Sequence, residues 1–218
     1  RVGSGKSTLL RLMAGLYTPS AGSLRVDGVD FQQLEPAEVR SYIGYVGQDP
    51  QLFMGTLRDN LVLSDSWISD LKINEVLRSL GMYDIVAHHP MGLDMPITEA
   101  GGGLSGGQRQ LISIARMMLR DPQIVFMDEP TANMDQNTEG MVIAVFKEWL
   151  KDRTLLMSTH RPQLLEWADS IAVIDAGQCV AYGPKQEMID KLSKGIDVRA
   201  GTPAQARTAP AAAQGVAA

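Results

Sequence analysis

The sequence has little cysteine, no excess of positive charge and no long apolar run, and each shortage excludes a class of protein. One cysteine, Cys179, among 218 residues cannot form an internal disulfide, so we expect a reducing compartment and a thiol without a role. A net charge of −5 argues against a broad basic surface for nucleic acid. No stretch approaches the roughly 18 apolar residues that cross a bilayer, and none resembles a signal peptide. Any membrane-spanning part would therefore lie outside these residues.

The remaining composition, 44% hydrophobic and 21% charged, is typical of a folded domain with a core. Continuous apolar runs at Ile124–Asp128 and Thr154–His160 predict buried strands, and helical patterns dominate from Thr56 to about Leu119. We therefore expect an α/β fold in four segments: a core part over 1–55, a helical segment over 56–118, a second core part over 119–195 and a disordered Ala/Pro-rich tail over 196–218.

The opening residues, RVGSGKSTLL, contain most of a phosphate-binding loop. Such a loop reads Gly, four residues, then Gly-Lys-Ser/Thr, and here its first glycine would precede Arg1. Backbone N–H groups would bind a polyphosphate, Lys6 would neutralise its β/γ-phosphates, and Ser7 would offer a hydroxyl to Mg²⁺. A glycine turn before an ordinary helix is the alternative. The residues expected to bind nucleotide are Gly3, Ser4, Gly5, Lys6, Ser7 and Thr8.

A pair of carboxylates follows the apolar run IVFMD. Asp128 at the end of this predicted strand can hold Mg²⁺, and Glu129 can activate a water molecule. Alone, the pair could equally lead into a solvated turn. Together with the glycine loop it predicts a P-loop nucleotide hydrolase.

A second anion site is predicted at LSGGQRQ. Ser105 can cap a helix that starts at Gly106, and Gly106 and Gly107 leave the first N–H groups of that helix uncovered. A glycine-rich linker is the alternative interpretation. Two phosphate sites with one carboxylate pair indicate that the second site serves the nucleotide of another molecule.

These motifs together resemble the nucleotide-binding domain of ATP-binding-cassette (ABC) transporters, from residue 1 to about residue 195. LSGGQ is the signature of that family, and Gln48, TANMD at Thr131–Asp135 and His160 match further motifs in the family's order. The resemblance implies a P-loop NTPase (RecA-like) core with an inserted α-helical signature subdomain. It also implies that the family's N-terminal antiparallel strands, with their adenine-stacking aromatic residue, are missing from this stretch.

The resemblance implies an ATPase in which two cassettes close around ATP and Mg²⁺. Glu129 would be the general base or would position water, His160 would stabilise the γ-phosphate, and Gln48 would touch metal and water and sense the membrane domain. The implied metal residues are Ser7, Gln48 and Asp128. The implied ATP residues are Gly3–Thr8 of one copy with Ser105, Gly106, Gly107 and Gln108 of the other, and Asp135, which also counts as nucleotide-binding, would communicate across the interface.

The segment QLFMGTLRDNL resembles exporter-type cassettes, in which the transmembrane domain is on the same chain. The segments around the signature and ADSIAVIDAGQCVAYGPK are similar to ATPases of type I secretion systems, although Gly101–Gly103 occupy the place of a usual glutamate. That resemblance implies a homodimer at the cytoplasmic face of the inner membrane, with a periplasmic adaptor and an outer-membrane channel as partners and without nucleic acid.

Four alternatives stay open at this point. The cassette could belong to another ABC exporter for lipid, peptide or drug, or to an importer whose ATPase is a separate chain. It could also be a regulatory cassette that binds ATP without cleaving it, or a DNA-repair or chromosome-type ABC ATPase. The pair His88 and His89 has no nearby ligand set and is typical of a surface turn rather than a metal site.

Overall fold

The computed structural model describes residues 3–63, 65 and 67–193. The described residues divide into two compact units, one formed by residues 3–6 with 168–193 and the other by the described residues between 7 and 167. The boundaries proposed at 55/56 and 118/119 from the sequence stay a prediction. The tail over 196–218 lies outside the described residues.

The larger unit alternates helices with short strands. Its helices are α1 (Lys6–Met13, all but its first residue in this unit), α2 (Pro36–Tyr42), α3 (Leu57–Val62), α4 (Asp70–Ser79), α5 (Tyr83–Ala87), α6 (Gly106–Arg120) and α7 (Gln136–Trp149). Its strands are β1 (Arg25–Val26), β2 (Val29–Asp30), β3 (Ile43–Val46), β4 (Gly55–Thr56), β5 (Pro96–Ile97), β6 (Ile124–Asp128) and β7 (Thr154–Ser158). Single 3₁₀ turns occur at Phe31–Gln33, Gly92–Asp94, Glu99–Gly101 and Pro162–Trp167.

A parallel sheet in the order β3–β6–β7 forms the centre of this unit. Strand β6 pairs with both neighbours. Its alternating side chains are buried in two different clusters, Val125 and Met127 in one and Phe126 in the other, which explains why its sequence is continuously apolar until Asp128. In the register Val46 lies opposite Met127, and Asp128 lies opposite Ser158. Because the strands are parallel, the turns that follow all three lie at one edge of the sheet. The predicted α/β core with a parallel sheet is confirmed.

Two clusters of buried side chains hold the unit together. Leu10 of α1 and Ala14, just after that helix, pack with Phe126 of β6. The larger cluster joins helices α3 to α7, and it includes Phe146, whose ring meets Trp167 edge-on with the centroids 6.2 Å apart. The methionines Met117 and Met118 are buried in this cluster.

Helix boundaries follow local chemistry. Helix α1 ends at Met13, because Gly15 takes a φ of +72° and the ring of Phe31 fills the space beside its Cα. Helix α4 ends before a left-handed glycine, Gly81, whose φ is +65°. The inserted helical character is confirmed, since α3 to α6 all lie between β3 and β6.

The smaller unit contains the antiparallel hairpin of β8 (Ser170–Asp175) and β9 (Gln178–Pro184), followed by α8 (Lys185–Ser193). An Ala-Gly turn joins the strands, with positive φ at both Ala176 and Gly177. Among the described residues, no helix is long and apolar enough to cross a membrane.

Candidate functional site

The carboxyl end of β6 carries the two predicted carboxylates, Asp128 and Glu129. Asp128 is 1% exposed, and Glu129 adopts a left-handed backbone with a φ of +49°. The N–H of Glu129 donates to the carbonyl oxygen of Ser158 at 2.9 Å, which extends the β6–β7 ladder by one bond. A left-handed backbone is strained for a residue with a side chain and is typical of functional turns.

The side chain of Glu129 meets His160. Its Oε1 lies 3.5 Å from Nε2 of His160, and its Oε2 accepts a hydrogen bond of 3.3 Å from the His160 backbone N–H. The carboxylate is 14% exposed, whereas the imidazole is 60% exposed. A half-buried carboxylate with one loose partner retains the lone pairs that it needs to accept a proton from water.

Three buried oxygens at this edge have no hydrogen-bond partner within the described part of the chain: Oδ1 of Asp128, Oε1 of Glu129 and Oγ of Ser158. Buried polar atoms without partners are rare and call for a bound ion, water or ligand. No group of three or more Asp, Glu, His or Cys side chains in the described residues could hold a metal. One carboxylate with substrate phosphates and water is the usual Mg²⁺ set, so the oxygens present fit Mg²⁺ delivered with a nucleotide.

Gln48 follows β3 and is exposed. Two side chains hold the backbone here. The carbonyl oxygen of Gln48 accepts from Nδ2 of Asn133 at 3.3 Å, and the carbonyl oxygen of the preceding Gly47 accepts from Nε2 of Gln110 at 3.2 Å. Gln110 is fully buried. Sequence reasoning missed Gln110 and Asn133, although both lie inside the motifs LSGGQRQ and TANMD.

The signature segment begins α6 as predicted. Oγ of Ser105 accepts from the N–H of Gln108 at 3.1 Å, and the N–H of Ser105 donates to Oε1 of Gln108 at 2.8 Å. This reciprocal capping box leaves Ser105 exposed at the helix N-terminus. Gly106 and Gly107 face Asn133: a Cβ at Gly107 would lie 3.2 Å from the Asn133 carbonyl oxygen. The glycines therefore allow α6 to approach the TANMD loop closely.

Asp135 caps α7. Its Oδ1 accepts from the N–H groups of Asn137 and Thr138 at 3.0 Å, and its Oδ2 accepts from the Thr138 hydroxyl at 2.7 Å. Hydrogen bonds hold the pKa of Asp135 below its usual value; those from Thr138 have the larger effect and that from Asn137 a smaller one. The predicted role of Asp135 in ATP binding and communication stays a prediction.

The phosphate-loop residues of the smaller unit have the backbone that the pattern predicts. Gly3 and Gly5 have φ values of +79° and +96°, and Lys6 Nζ donates to Oγ of buried Ser4 at 3.2 Å. The carbonyl oxygen of Ser4 accepts from the N–H of Gly177 at 3.0 Å, so the hairpin turn supports the loop.

In the larger unit, Ser7 and Thr8 lie in the first turn of α1. Ser7 is half-buried and Thr8 is exposed. The assignment of both residues to nucleotide and metal stays a prediction.

Comparison with known proteins gives one consistent result. A family model described as ABC transporter matches residues 1–132. The chain is 36% identical over 189 residues to an uncharacterised ABC transporter ATP-binding protein of Sinorhizobium fredii, covering 87% of this chain and 32% of the relative. It is also 36% identical over 187 residues to a probable multidrug resistance ABC transporter ATP-binding/permease protein of Bacillus subtilis, YheH, covering 86% and 28%.

A solved structure agrees with these sequence matches. It is that of a bacterial Atm1-family ABC exporter with ATP bound, at 28% identity and a TM-score of 0.81, covering 94% of this chain and 36% of that one. The chain thus spans about a third of the length of the relatives that it matches.

Proposed function

The chain belongs to the ABC transporter family, and on that basis we propose that it is the ATP-hydrolysing cassette of a membrane exporter. The observation that carries this proposal is the Glu129–His160 pair beside buried Asp128 at the carboxyl ends of β6 and β7. A partly buried carboxylate that a water can reach, next to a second carboxylate suited to Mg²⁺, is what hydrolysis of a phosphoanhydride requires.

Each residue at this edge has a proposed role that follows from its contacts. Glu129 orients the attacking water and accepts its proton, because its Oε1 makes no hydrogen bond within the described residues. His160 donates to the γ-phosphate from its exposed ring. Asp128 and Ser7 would hold Mg²⁺, and the ion would supply positive charge to neutralise the phosphates of the nucleotide.

A second copy of the chain completes the site in this proposal. The phosphate loop, Gly3–Thr8, binds the triphosphate of its own copy, and the N-terminus of α6 at Ser105–Gln108 binds it from the other copy. A helix N-terminus attracts anions through its N–H groups and its dipole. Only the ATP-bound state neutralises both surfaces, so binding closes the dimer and hydrolysis opens it.

The names of the relatives support an exporter. One is a probable multidrug resistance ATP-binding/permease protein, and the solved structure is an ABC exporter. We propose that transmembrane helices of the full-length protein receive the motion near Gln48, at the cytoplasmic face of the inner membrane. Protein secretion of type I, with a periplasmic adaptor and an outer-membrane channel, is the finer proposal, and drug export is the alternative that the multidrug relative favours. Stimulation of the ATPase by unfolded polypeptide or by drugs distinguishes them.

Replacement of Ser105 by aspartate tests the two-copy site. Asp caps a helix as well as Ser, so the fold is retained, but its negative charge repels a triphosphate at the N-terminus of α6. We expect Ser105→Asp to lower the ATP turnover of the full-length protein about 100-fold, measured as phosphate release.

Ser69 provides a matched control, because it caps α4 in the same way, accepting from the N–H of Lys72 at 3.3 Å, and is also exposed. Ser69→Asp should leave turnover unchanged. Equal turnover in Ser105→Asp and Ser69→Asp would show that the signature helix does not meet ATP and would overturn the proposal.

A further inference from the structure

A buried carboxylate lies behind the catalytic edge and is not used by the proposed mechanism. Glu139, in the first turn of α7, is 5% exposed. A buried carboxylate is costly unless charged or polar groups surround it. Glu139 has two such partners: Oε1 accepts from the hydroxyl of Thr131 at 2.7 Å, and Oε2 accepts from Nη1 of Arg161 at 3.1 Å.

The positions of these two partners in the sequence are informative. Thr131 lies two residues after Glu129, and Arg161 lies directly after His160. The backbone N–H of Arg161 also donates to Oγ1 of Thr159 at 3.0 Å, which tightens the turn that carries His160. One carboxylate therefore ties together the two turns that present the proposed base and the proposed γ-phosphate ligand.

Within the described residues, few other hydrogen bonds or ion pairs join the two turns directly. The β6–β7 register ends at Asp128 and Ser158, and the last ladder bond is that from the Glu129 N–H. Beyond it, Glu129 and His160 meet at 3.5 Å between side chains and at 3.3 Å from backbone to side chain. These contacts are long, and the imidazole is largely exposed, so they do not fix the separation of the two side chains.

We propose that Glu139, Thr131 and Arg161 form a clamp that sets the distance between Glu129 and His160 in the hydrolytic state. The inference rests on the proposed function. All three are positioning residues, because they act through the turns and not on ATP. A displacement of about 1 Å in a reacting group can reduce a rate by about 100-fold, so a clamp of this kind acts mainly on kcat.

The chain offers a matched control for a purely structural bridge. At the opposite ends of the same two strands, Arg153 pairs with Asp121 and donates to the carbonyl oxygen of Pro122 at 3.2 Å. Asp121 precedes β6 and Arg153 precedes β7, so this bridge also joins the two strands. It lies at the edge without candidate catalytic residues.

The test compares Arg161→Met with Arg153→Met in the full-length protein, by steady-state ATP hydrolysis and thermal unfolding. Arg161→Met should lower kcat about tenfold while KM for ATP changes less than about twofold. Arg153→Met should keep kcat within about twofold of wild type at a comparable loss of thermal stability. Equal kcat in the two variants would overturn the clamp.

A second set of variants tests the clamp further, and Glu139→Gln alone decides the question if Arg161→Met does not fold. Glu139→Gln keeps the shape of the side chain and its hydrogen bond from Thr131 but loses the charge that pairs with Arg161. It should lower kcat several-fold, and Arg161→Lys should retain more activity than Arg161→Met because it keeps a positive charge. The double variant Glu139→Gln/Arg161→Met should be no slower than Arg161→Met alone, because the residues act as one unit. Multiplying losses, or wild-type kcat in Glu139→Gln, would contradict the clamp.

Glu129→Gln, measured in parallel, separates the two claims. If it hydrolyses ATP as wild type does, the proposed function of this edge is wrong. If it is inactive while Arg161→Met and Glu139→Gln match Arg153→Met, the clamp alone is wrong.

Discussion

The two ends of the β6–β7 strand pair differ in how completely their polar groups are bonded. At the amino ends, Arg153 pairs with Asp121, donates to the carbonyl oxygens of Pro122 and Trp149, and lies 4.2 Å from the centroid of the Trp149 ring. At the carboxyl ends, three buried oxygens have no hydrogen-bond partner within the described residues, and Glu129 has a left-handed backbone.

The difference indicates that the amino ends serve stability, and it supports the proposal that the carboxyl ends serve hydrolysis. A fully bonded end contributes to the free energy of unfolding and has nothing left to offer a ligand. An end with unpartnered oxygens and a strained turn costs stability, and such costs persist where a site needs them. The proposed clamp combines features of both ends. Both carboxylate oxygens of Glu139 accept hydrogen bonds, as at the amino ends, but their partners, Thr131 and Arg161, belong to the turns at the carboxyl ends.

The largest effect that the difference between the two ends predicts is a loss of kcat at Glu129. Glu129→Gln should lower kcat at least about 100-fold without loss of thermal stability, because it removes the proton acceptor and leaves the fold unchanged. Arg153→Met should do the reverse, with kcat retained and unfolding easier by about 1–3 kcal/mol in urea titrations. A stability loss in Glu129→Gln that equals the loss in Arg153→Met would mean that the two ends have the same role.

A smaller effect is expected in the pH dependence of the stability of Asp135→Asn. The pKa of Asp135 is lowered in the folded state by the hydrogen bonds of its cap, mainly those from Thr138. A lowered folded pKa stabilises the protein above the unfolded pKa of about 4, and this stabilisation is lost as the pH falls through the folded value. Wild type should therefore be more stable than Asp135→Asn at pH 7, and the difference should shrink below about pH 4.

Urea midpoints of the two proteins at pH 7 and at pH 3 measure this difference. Asp59 accepts a hydrogen bond from the N–H of Thr56 in the capping box of α3, and this bond also lowers its pKa, so Asp59→Asn is the control for a capping carboxylate away from the TANMD loop. Equal pH dependence of stability in wild type and Asp135→Asn would show that the cap bonds do not favour the charged carboxylate.

Local patterns predicted the local parts of the fold and the site. Some features depend only on residues that are neighbours in the sequence, so the sequence alone is enough to predict them. They are the apolar strand β6 and the cap at Ser105. The positive φ of Gly5 likewise follows from the glycine pattern of the loop.

Contacts between distant residues could not be predicted in this way. Nothing in the neighbourhood of Glu139 indicates that its partner is Arg161, 22 residues later, because that pairing depends on how α7 packs behind the ends of β6 and β7. Gln110 gave no signal for the same reason: its partner, the carbonyl oxygen of Gly47, lies 63 residues away. A glutamine in a helix is usually a surface residue, whereas the structure buries Gln110 completely.

The most direct test mixes two defective copies of the full-length protein, one carrying Glu129→Gln and the other Ser105→Asp. In the mixed dimer, one site contains both defects, while the other combines the intact Glu129 of the second copy with the intact Ser105 of the first. We predict that mixing equal amounts of the inactive preparations, under conditions that allow copies to exchange, restores phosphate release toward about a quarter of the wild-type rate, because half of the dimers are mixed and each of these has one intact site. If the mixture stays as inactive as its components although mixed dimers have formed, each chain must build its hydrolytic site alone, and the account is contradicted.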